Sequence, residues 1–264
     1  MEISDMKNIN NTLITLVLVA SAAALIAFIP GGDGYQKRKK AKVVEHITFQ
    51  TNINGQGNAL SLEFVKGPEH NHPLMAVWVE DTDGNYIQTL FVATSIAKGV
   101  FAYGDKSTGR WKAGEIQRPA ALPYWAHKRN VMNDKGNYMP RPGFEVPDAY
   151  SGATPKANFT LETRTDKPMS GKFRVLMEIN QSWDWNRYWT NNKFPDDREY
   201  KTSSQPAIVY AAEVTAGVPG EYPMQPIGRS HHAGADGKLY NDLETLTTAL
   251  KIVESVKVVV KAGN

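Results

Sequence analysis

The sequence predicts a mainly β protein: an antiparallel β-sandwich with one short C-terminal helix, preceded by a single apolar N-terminal helix. Three observations support this fold class. Short stretches rich in β-branched and aromatic residues recur along the chain, polar breaks with turn residues separate them, and no βαβ alternation is visible. The sequence divides into an N-terminal membrane anchor or signal segment over residues 1–30, a basic linker over 31–42, and a β-sandwich domain over 43–264.

The N-terminal segment contains a long apolar run without any charge, from Thr12 to Ile29. As a helix, its ~18 residues would span roughly 27 Å, close to a hydrocarbon core of about 30 Å. This length favours a retained single-pass anchor. The small-x-small pattern Ala20-Ser21-Ala22 leaves a cleaved signal peptide as the alternative, although cleavage there would leave apolar residues at the new N-terminus.

A basic cluster follows the apolar run, and it would attract anionic lipid headgroups at ~1 kcal/mol per basic residue. Its members are Lys37, Arg38, Lys39, Lys40 and Lys42. By the positive-inside rule, charge alone would place the following domain in the cytoplasm. No second basic patch with interleaved aromatic residues is visible, so the sequence does not predict binding of nucleic acid.

Eight segments of the β-rich domain have the composition of strands. They cover residues 43–49, 59–65, 75–80, 86–92, 159–163, 172–179, 207–214 and 255–261. Asp83-Gly84, inside a short polar break, predicts a hairpin between the third and fourth segments. Alternation along the third segment predicts that Val77 and Val79 face one side of a sheet and Trp78 the other.

Two regions of the domain differ from this pattern. Residues 104–147 are rich in proline and tryptophan and predict an irregular connection with one short helix near 120–129. A connection this long is usually functional or packed by its own aromatic residues. Near the end of the chain, Leu243, Leu246, Leu250 and Val253 fall at helical spacing and predict a short helix with Asp242 as its N-cap.

The stretch before the fifth predicted strand reads Asp148-Ala149-Tyr150-Ser151-Gly152-Ala153-Thr154. It resembles the flavinylation signature Asp-(Gly/Ala)-x-(Ser/Thr)-Gly-Ala-(Thr/Ser) of FMN-binding domains, which occur in subunits of the sodium-pumping NADH:quinone oxidoreductase and of the Rnf complex. The resemblance implies that an FMN transferase joins the phosphate of FMN to the hydroxyl of Thr154. The other site residues that it implies are Asp148, Ser151, Gly152 and Ala153. This chain departs from the family pattern at Pro155-Lys156, where another Thr or Ser often follows.

The residue types in this motif suit such a modification. A phosphoester needs a reachable hydroxyl, and Gly152 with Ala153 would form a thin, bendable segment that can enter the site of another enzyme. Asp148 could accept hydrogen bonds that hold the loop. The alternative is an ordinary small-residue turn between two strands, for which Ser, Gly and Pro are common choices.

A wider resemblance covers residues 43–261. The stretches that carry it are MAVWVEDTDGNYIQTLFV, DAYSGATPKANFTLETR, EINQSWDWNRYW, SSQPAIVYAAEV and HHAGADGKLYNDLETLTTAL. They are similar to an uncharacterised bacterial periplasmic family with an immunoglobulin-like β-sandwich. This resemblance implies an exported protein, found in the company of FMN transferases and of membrane reductases of PepSY type. It therefore places the domain in the periplasm, against the indication of the basic cluster.

Two further groups of residues are candidates for binding. The aromatic run Trp183, Trp185, Tyr188 and Trp189 could stack on a flavin, a sugar or a partner, or could pack in the core. The histidines at 70, 72, 231 and 232 lack a helical spacing or a recognisable set of ligands, so the sequence predicts solvated loop histidines and no tightly held metal ion. The absence of cysteine excludes disulfides and thiolate sites.

Two functions remain open from the sequence. The first is a membrane-anchored extracytosolic redox accessory protein, held in the inner membrane by a single pass, that carries covalent FMN for electron transfer. The alternative is a cofactor-free periplasmic binding or assembly module on a β-sandwich. Motifs of hydrolytic enzymes and of P-loop proteins are missing from the sequence, and whether the chain is itself an enzyme is left undecided.

Overall fold

The computed structural model describes residues 45–146 and 151–262. The predicted N-terminal helix, the basic linker and Asp148 lie outside the described residues. Among the residues that are described, no helix is long and apolar enough to cross a membrane.

The described chain is mainly β, as the sequence predicts. In chain order the strands are β1 His46–Gln50, β2 Ala59–Lys66, β3 Leu74–Glu80, β4 Tyr86–Ala93, β5 Val100–Asp105, β6 Lys112–Glu115, β7 Ser151–Gly152, β8 Asn158–Arg164, β9 Lys172–Asn180, β10 Ile208–Thr215, β11 Gly220–Pro223, β12 Gln225–Arg229 and β13 Val253–Val260. The α-helices are α1 Thr94–Lys98, α2 Pro123–Arg129 and α3 Tyr200–Ser203, and two 3₁₀ helices cover Leu243–Thr245 and Ala249–Lys251.

The strands form two larger sheets and one separate hairpin. The first sheet has the order β1-β8-β2-β13-β11, the second has the order β12-β10-β9-β3-β4-β7, and β5 pairs only with β6. Most neighbours are antiparallel, but β1 pairs with β8 and β4 pairs with β7 in parallel. Both exceptions join strands that are far apart in the sequence, so no tight turn imposes an antiparallel pairing on them.

The predicted hairpin between β3 and β4 is confirmed. The Oδ1 atom of Asp81 accepts hydrogen bonds from the backbone N–H groups of Asp83 and Asn85, at 3.0 and 2.8 Å. The Asn85 side chain donates to Oδ2 of the same carboxylate, and these bonds, with those of Asn85 foremost, lower the pKa of Asp81. Gly84 adopts a φ of +83°, which is the conformation for which a glycine is needed in this turn.

One hydrophobic core lies between the two larger sheets, because it contains inward residues of both. Val77 and Val79 of β3 belong to this core, whereas Trp78 belongs to a second core on the opposite face of the same strand. The predicted division of these three side chains is therefore confirmed. All three are buried, because the connection between β4 and β7 covers the face that would otherwise contact solvent.

The connection between β4 and β7 is held to the second sheet by buried polar contacts as well as by apolar packing. Helix α2 lies within the helix predicted near 120–129. The carboxyl group of Glu178 on β9 accepts hydrogen bonds from the first backbone N–H groups of this helix, those of Tyr124 at 3.2 Å and Trp125 at 2.8 Å. The indole Nε1 of Trp125 donates to Oγ1 of Thr89 at 2.9 Å. The described part of the long connection, up to residue 146, is therefore a packed outer layer on the second sheet.

Glu178 should make the stability of the domain depend on pH. Its complete burial raises the pKa of the carboxyl to about 8, from the usual 4.5. Between these values the folded chain keeps a proton that the unfolded chain has released, so the free energy of unfolding should fall as the pH rises. The loss across this window should reach on the order of 5 kcal/mol, at 1.36 kcal/mol for each unit of pKa difference.

The measurement is the free energy of unfolding of the wild type and of Glu178→Gln at several pH values between 5 and 8.5. The neutral amide cannot titrate, so the free energy of unfolding of the variant should increase relative to that of the wild type as the pH rises. The same substitution at exposed Glu213 on β10 is the control. Its free energy of unfolding should depend on pH as that of the wild type does. Parallel curves for the wild type and Glu178→Gln would contradict the assignment of this proton to Glu178.

The prediction of a single C-terminal helix is wrong. Its segment forms the two short 3₁₀ helices, and the side chain of Asp242 caps neither of them. Instead, the Asp242 carboxylate forms a two-pronged ion pair with Arg229, at 2.8 and 2.9 Å. Leu246 is fully buried, because the segment packs against the core between the sheets. Tertiary contacts therefore override the helical spacing of the leucines.

Candidate functional site

The candidate site begins at the outer edge of the second sheet. Ser151 and Gly152 form β7, where they pair in parallel with Val92 and Ala93 of β4. A Cβ atom on Gly152 would approach the Phe91 ring to 3.2 Å, so this position has little room for a side chain. The centre of the motif is therefore paired with the edge of the second sheet.

Thr154 follows this short edge strand directly. Ala153 is exposed, Thr154 is partly exposed and Pro155 is buried, so the chain leaves the surface immediately after the threonine. Among the described residues, none forms a hydrogen bond with the Thr154 hydroxyl. On one side of Thr154 the chain pairs with β4 through Gly152, and on the other side Pro155 is buried. Asp148, the first residue of the motif, lies outside the described part of the chain.

Thr154 lines an open, mostly apolar cleft with a volume of about 770 Å³. This volume lies within the range of about 300–1,000 Å³ that is typical of small-molecule sites. Several segments that are distant in sequence build the walls. They are residues 72–74, residues 93–95, the β5–β6 hairpin with Arg118 after it, the end of β7 with the segment that follows, and the loop after β9. The hairpin contributes Tyr103 and Trp111, and the loop contributes Trp183.

Three of the aromatic side chains that line the cleft are highly exposed. Tyr103 is 73%, Trp111 is 62% and Trp183 is 52% exposed. Large aromatic side chains stabilise a protein by burying much apolar area when they pack. Three such side chains that stay exposed around one cleft do not contribute this stabilisation when no ligand is bound. A ligand with a flat apolar face would recover part of this loss.

Trp183 is held in an uncommon backbone conformation. Its φ is +64°, a region that bulky residues rarely adopt. The backbone N–H donates to the carbonyl of Ser203 at 2.7 Å, and the indole Nε1 donates to the carbonyl of Lys201 at 3.1 Å. These two bonds fix the ring at the cleft before any ligand arrives. Strained conformations that the surrounding structure maintains are often found at functional sites.

Arg118 supplies positive charge to the cleft. Its guanidinium carbon lies 4.3 Å from the ring centre of Phe101 and 5.3 Å from that of Trp183. Nη1 donates to Oγ of Ser182 at 3.4 Å, and no carboxylate of the described residues forms an ion pair with this arginine. Burial lowers the pKa of Arg118, but a guanidinium remains charged at any physiological pH. Lys156 lines the same cleft.

The predicted aromatic run divides into residues with different environments. Trp183 lines the cleft, and Trp185 is as exposed, at 53%, but does not line it. Trp189 is buried in the core between the sheets, and its Nε1 donates to Oγ1 of Thr245 at 3.0 Å. Tyr188 lies beneath the ammonium of Lys193, which is 3.5 Å from the ring centre. The run therefore divides between a position in the cleft, for Trp183, and packing in the core, for Trp189.

Of the four predicted histidines, His72 is exposed and lines the cleft, whereas the other three are partly buried. His70 is partly buried and contacts Phe64 edge-on. His232 stacks on Phe194 and on His231, with ring centres 4.2 Å apart in both pairs, and burial lowers its pKa to about 4. Aromatic packing explains these contacts. Across residues 45–146 and 151–262, no three His, Cys, Asp or Glu side chains are grouped so that they could hold a metal ion.

Sequence reasoning missed Arg118, Trp111 and Tyr103 as members of the site. The length of the connection over 104–147, which predicts a functional or self-packed region, is the signal for Arg118 and Trp111, whereas Tyr103 precedes that connection and has no such signal. The fold and the cleft define a mainly β protein with a preformed, cationic aromatic site at a sheet edge. Comparison of the chain with protein-family models, with curated proteins and with solved structures found no match.

Proposed function

We propose that this chain is a membrane-anchored extracytosolic redox accessory protein that carries FMN covalently on Thr154 for electron transfer. The observation that carries the proposal is the position of Thr154: the last residue of the flavinylation-like motif lines an aromatic cleft that also contains an arginine without an ion-pair partner among the described residues. An ordinary turn between strands would not require this environment.

The residues of the cleft fit a flavin nucleotide in three respects. The exposed rings of Tyr103, Trp111 and Trp183 suit a flat heteroaromatic ring system. Arg118 and Lys156 suit a ligand with a phosphate and with electron-rich carbonyl oxygens. Bound FMN supplies the capacity to accept and donate one or two electrons, while the protein supplies attachment, orientation and polarity.

Attachment requires a modifying enzyme. The Thr154 Oγ1 atom would form an ester bond to phosphorus of an FMN-donating nucleotide, the phosphorus–oxygen bond to the leaving group of that donor would break, and the leaving group would take up the hydroxyl proton. The net change in the chain is the addition of FMN less one water. An FMN transferase has the chemistry for this step, and Ser151 to Thr154 present an edge of the sheet that it can reach.

The proposal extends to the setting of the domain. The apolar run over 12–29 would anchor the chain in the inner membrane, the basic cluster would contact anionic lipid headgroups, and the domain would lie in the periplasm on an immunoglobulin-like sandwich. The electron partner would be a membrane redox protein of PepSY type. Nucleic acid has no part in this function.

The test is the intact mass of the wild-type protein, purified from its own host and, separately, after co-expression with an FMN transferase of that host. We expect an added mass of FMN less one water, together with flavin fluorescence that survives denaturing electrophoresis. A control expression without the transferase, in a host that lacks one, should give the unmodified mass. An unmodified mass under both of the first conditions would refute the proposal.

The second candidate is a cofactor-free binding module, and the openness of the cleft favours it. Such a module would bind a flat, apolar or anionic molecule reversibly between the β5–β6 hairpin and Trp183. It needs the same aromatic walls but has no use for the hydroxyl of Thr154. The mass measurement therefore separates the two candidates.

A further inference from the structure

We propose that the ring system of the attached flavin docks in the cleft, where Trp183 stacks on it and Arg118 faces its electron-rich edge. This inference rests on the proposed attachment at Thr154. It adds that the flavin ring has a defined binding position, the seat, in the cleft and does not project into solvent from its point of attachment.

The first support is the preorganisation of Trp183. The positive φ and the two hydrogen bonds to Ser203 and Lys201 hold the indole in place, although half of its surface is exposed. An aromatic side chain that is already ordered loses little entropy when a second ring stacks on it. The neighbouring Trp185 has equal exposure but lies outside the cleft, so exposure of tryptophan in this loop is not by itself the distinguishing feature.

The second support is the charge of Arg118. A half-buried guanidinium between Phe101 and Trp183, without a carboxylate partner among the described residues, has lost hydration without gaining an ion pair. A ligand that brings electron density to this position would compensate for that loss. A flavin ring does so through its carbonyl oxygens, and it gains further negative charge when it is reduced.

The third support is the position of the tether. Thr154 and Trp183 line the same cleft, so a flavin esterified to Thr154 is confined close to the indole. Confinement raises the effective concentration of the ring at its seat to the millimolar range or above. Weak stacking and one charged contact are then sufficient to keep the ring docked.

The decisive measurement compares flavin fluorescence in fully modified Trp183→Leu and Trp185→Leu proteins. A stacked indole quenches the excited flavin by electron transfer, so loss of Trp183 should brighten the flavin several-fold and expose it to quenching by iodide. Trp185→Leu removes the same side chain two residues away and should leave both quantities at the wild-type level. Trp183→Tyr keeps an aromatic face and should retain most of the quenching, which separates stacking from a general disturbance of the loop.

Arg118 is tested by the reduction midpoint of the attached flavin. Arg118→Gln should shift the midpoint to a more negative potential because the reduced ring loses a nearby positive charge, and Arg118→Lys should shift it less. Modified proteins in which Trp183→Leu and Trp185→Leu fluoresce alike, or in which Arg118→Gln leaves the midpoint unchanged, would overturn the seat and leave the attachment at Thr154 standing. A chain that never acquires the FMN mass would overturn both.

Discussion

A protein with Thr154→Val is expected to carry no FMN at all, even when the wild type is fully modified under the same conditions. Valine has nearly the shape of threonine but offers no oxygen to phosphorus, so the ester cannot form. The variant should fold normally, because none of the described residues forms a hydrogen bond with the hydroxyl that is removed. Intact mass reports the loss directly, and thermal unfolding of the same samples checks the fold.

Two companion variants make this result specific. Thr154→Ser keeps a hydroxyl and should retain part of the modification. Ser151→Ala removes the other hydroxyl of the described motif, on the neighbouring edge strand, and should keep the FMN mass. Full modification of Thr154→Val would show that FMN is attached to another residue. Loss of the FMN mass only in Ser151→Ala would identify Ser151 as the attachment residue.

Replacement of Val77 by aspartate is expected to unfold the domain. Val77 lies on β3 at the centre of the second sheet and is fully buried in the core between the sheets. An unpaired carboxylate at this position must be either desolvated or protonated, and substitutions of this kind cost at least about 4 kcal/mol. Because a domain is stabilised by only about 5–15 kcal/mol in total, most of the stability would be lost.

Val218→Asp is the matched control. The same substitution occurs there at an exposed position in the turn between β10 and β11, where the new charge remains hydrated. Chemical denaturation followed by far-ultraviolet circular dichroism should therefore give a near wild-type midpoint for Val218→Asp and no cooperative transition for Val77→Asp. Equal midpoints would contradict the assignment of Val77 to the core.

The strands of the two larger sheets could be predicted where short-range rules decide them. The hairpin at Asp83-Gly84 depends on a few neighbouring residues, and the division of Val77 from Trp78 follows from the period of two along a strand. These features need no knowledge of the rest of the chain. The same local rules missed β7, β11 and β12, which are short and contain Gly, Pro or both.

The failures concern features that distant residues decide. The spacing of leucines after Asp242 predicts an α-helix, but an ion pair with Arg229 and packing against the core determine the conformation of this segment. It therefore forms 3₁₀ turns. The cleft is assembled from several segments that come together only in the folded chain. The sequence therefore identified Thr154 and Trp183 as separate candidates but could not show that they share a cleft with Arg118.

The edge position of β7 has a consequence for the order in which the chain can fold and be modified. Ser151 and Gly152 pair with β4 on one side and with no other strand of the described chain, so detaching them leaves the remaining ladder of the sheet intact. Such an opening is a sub-global fluctuation that costs far less than complete unfolding. A folded domain can therefore present Ser151 to Thr154 to a second protein transiently and then recover its native pairing. Under the proposed attachment at Thr154, modification of this segment can therefore follow folding and does not have to precede it.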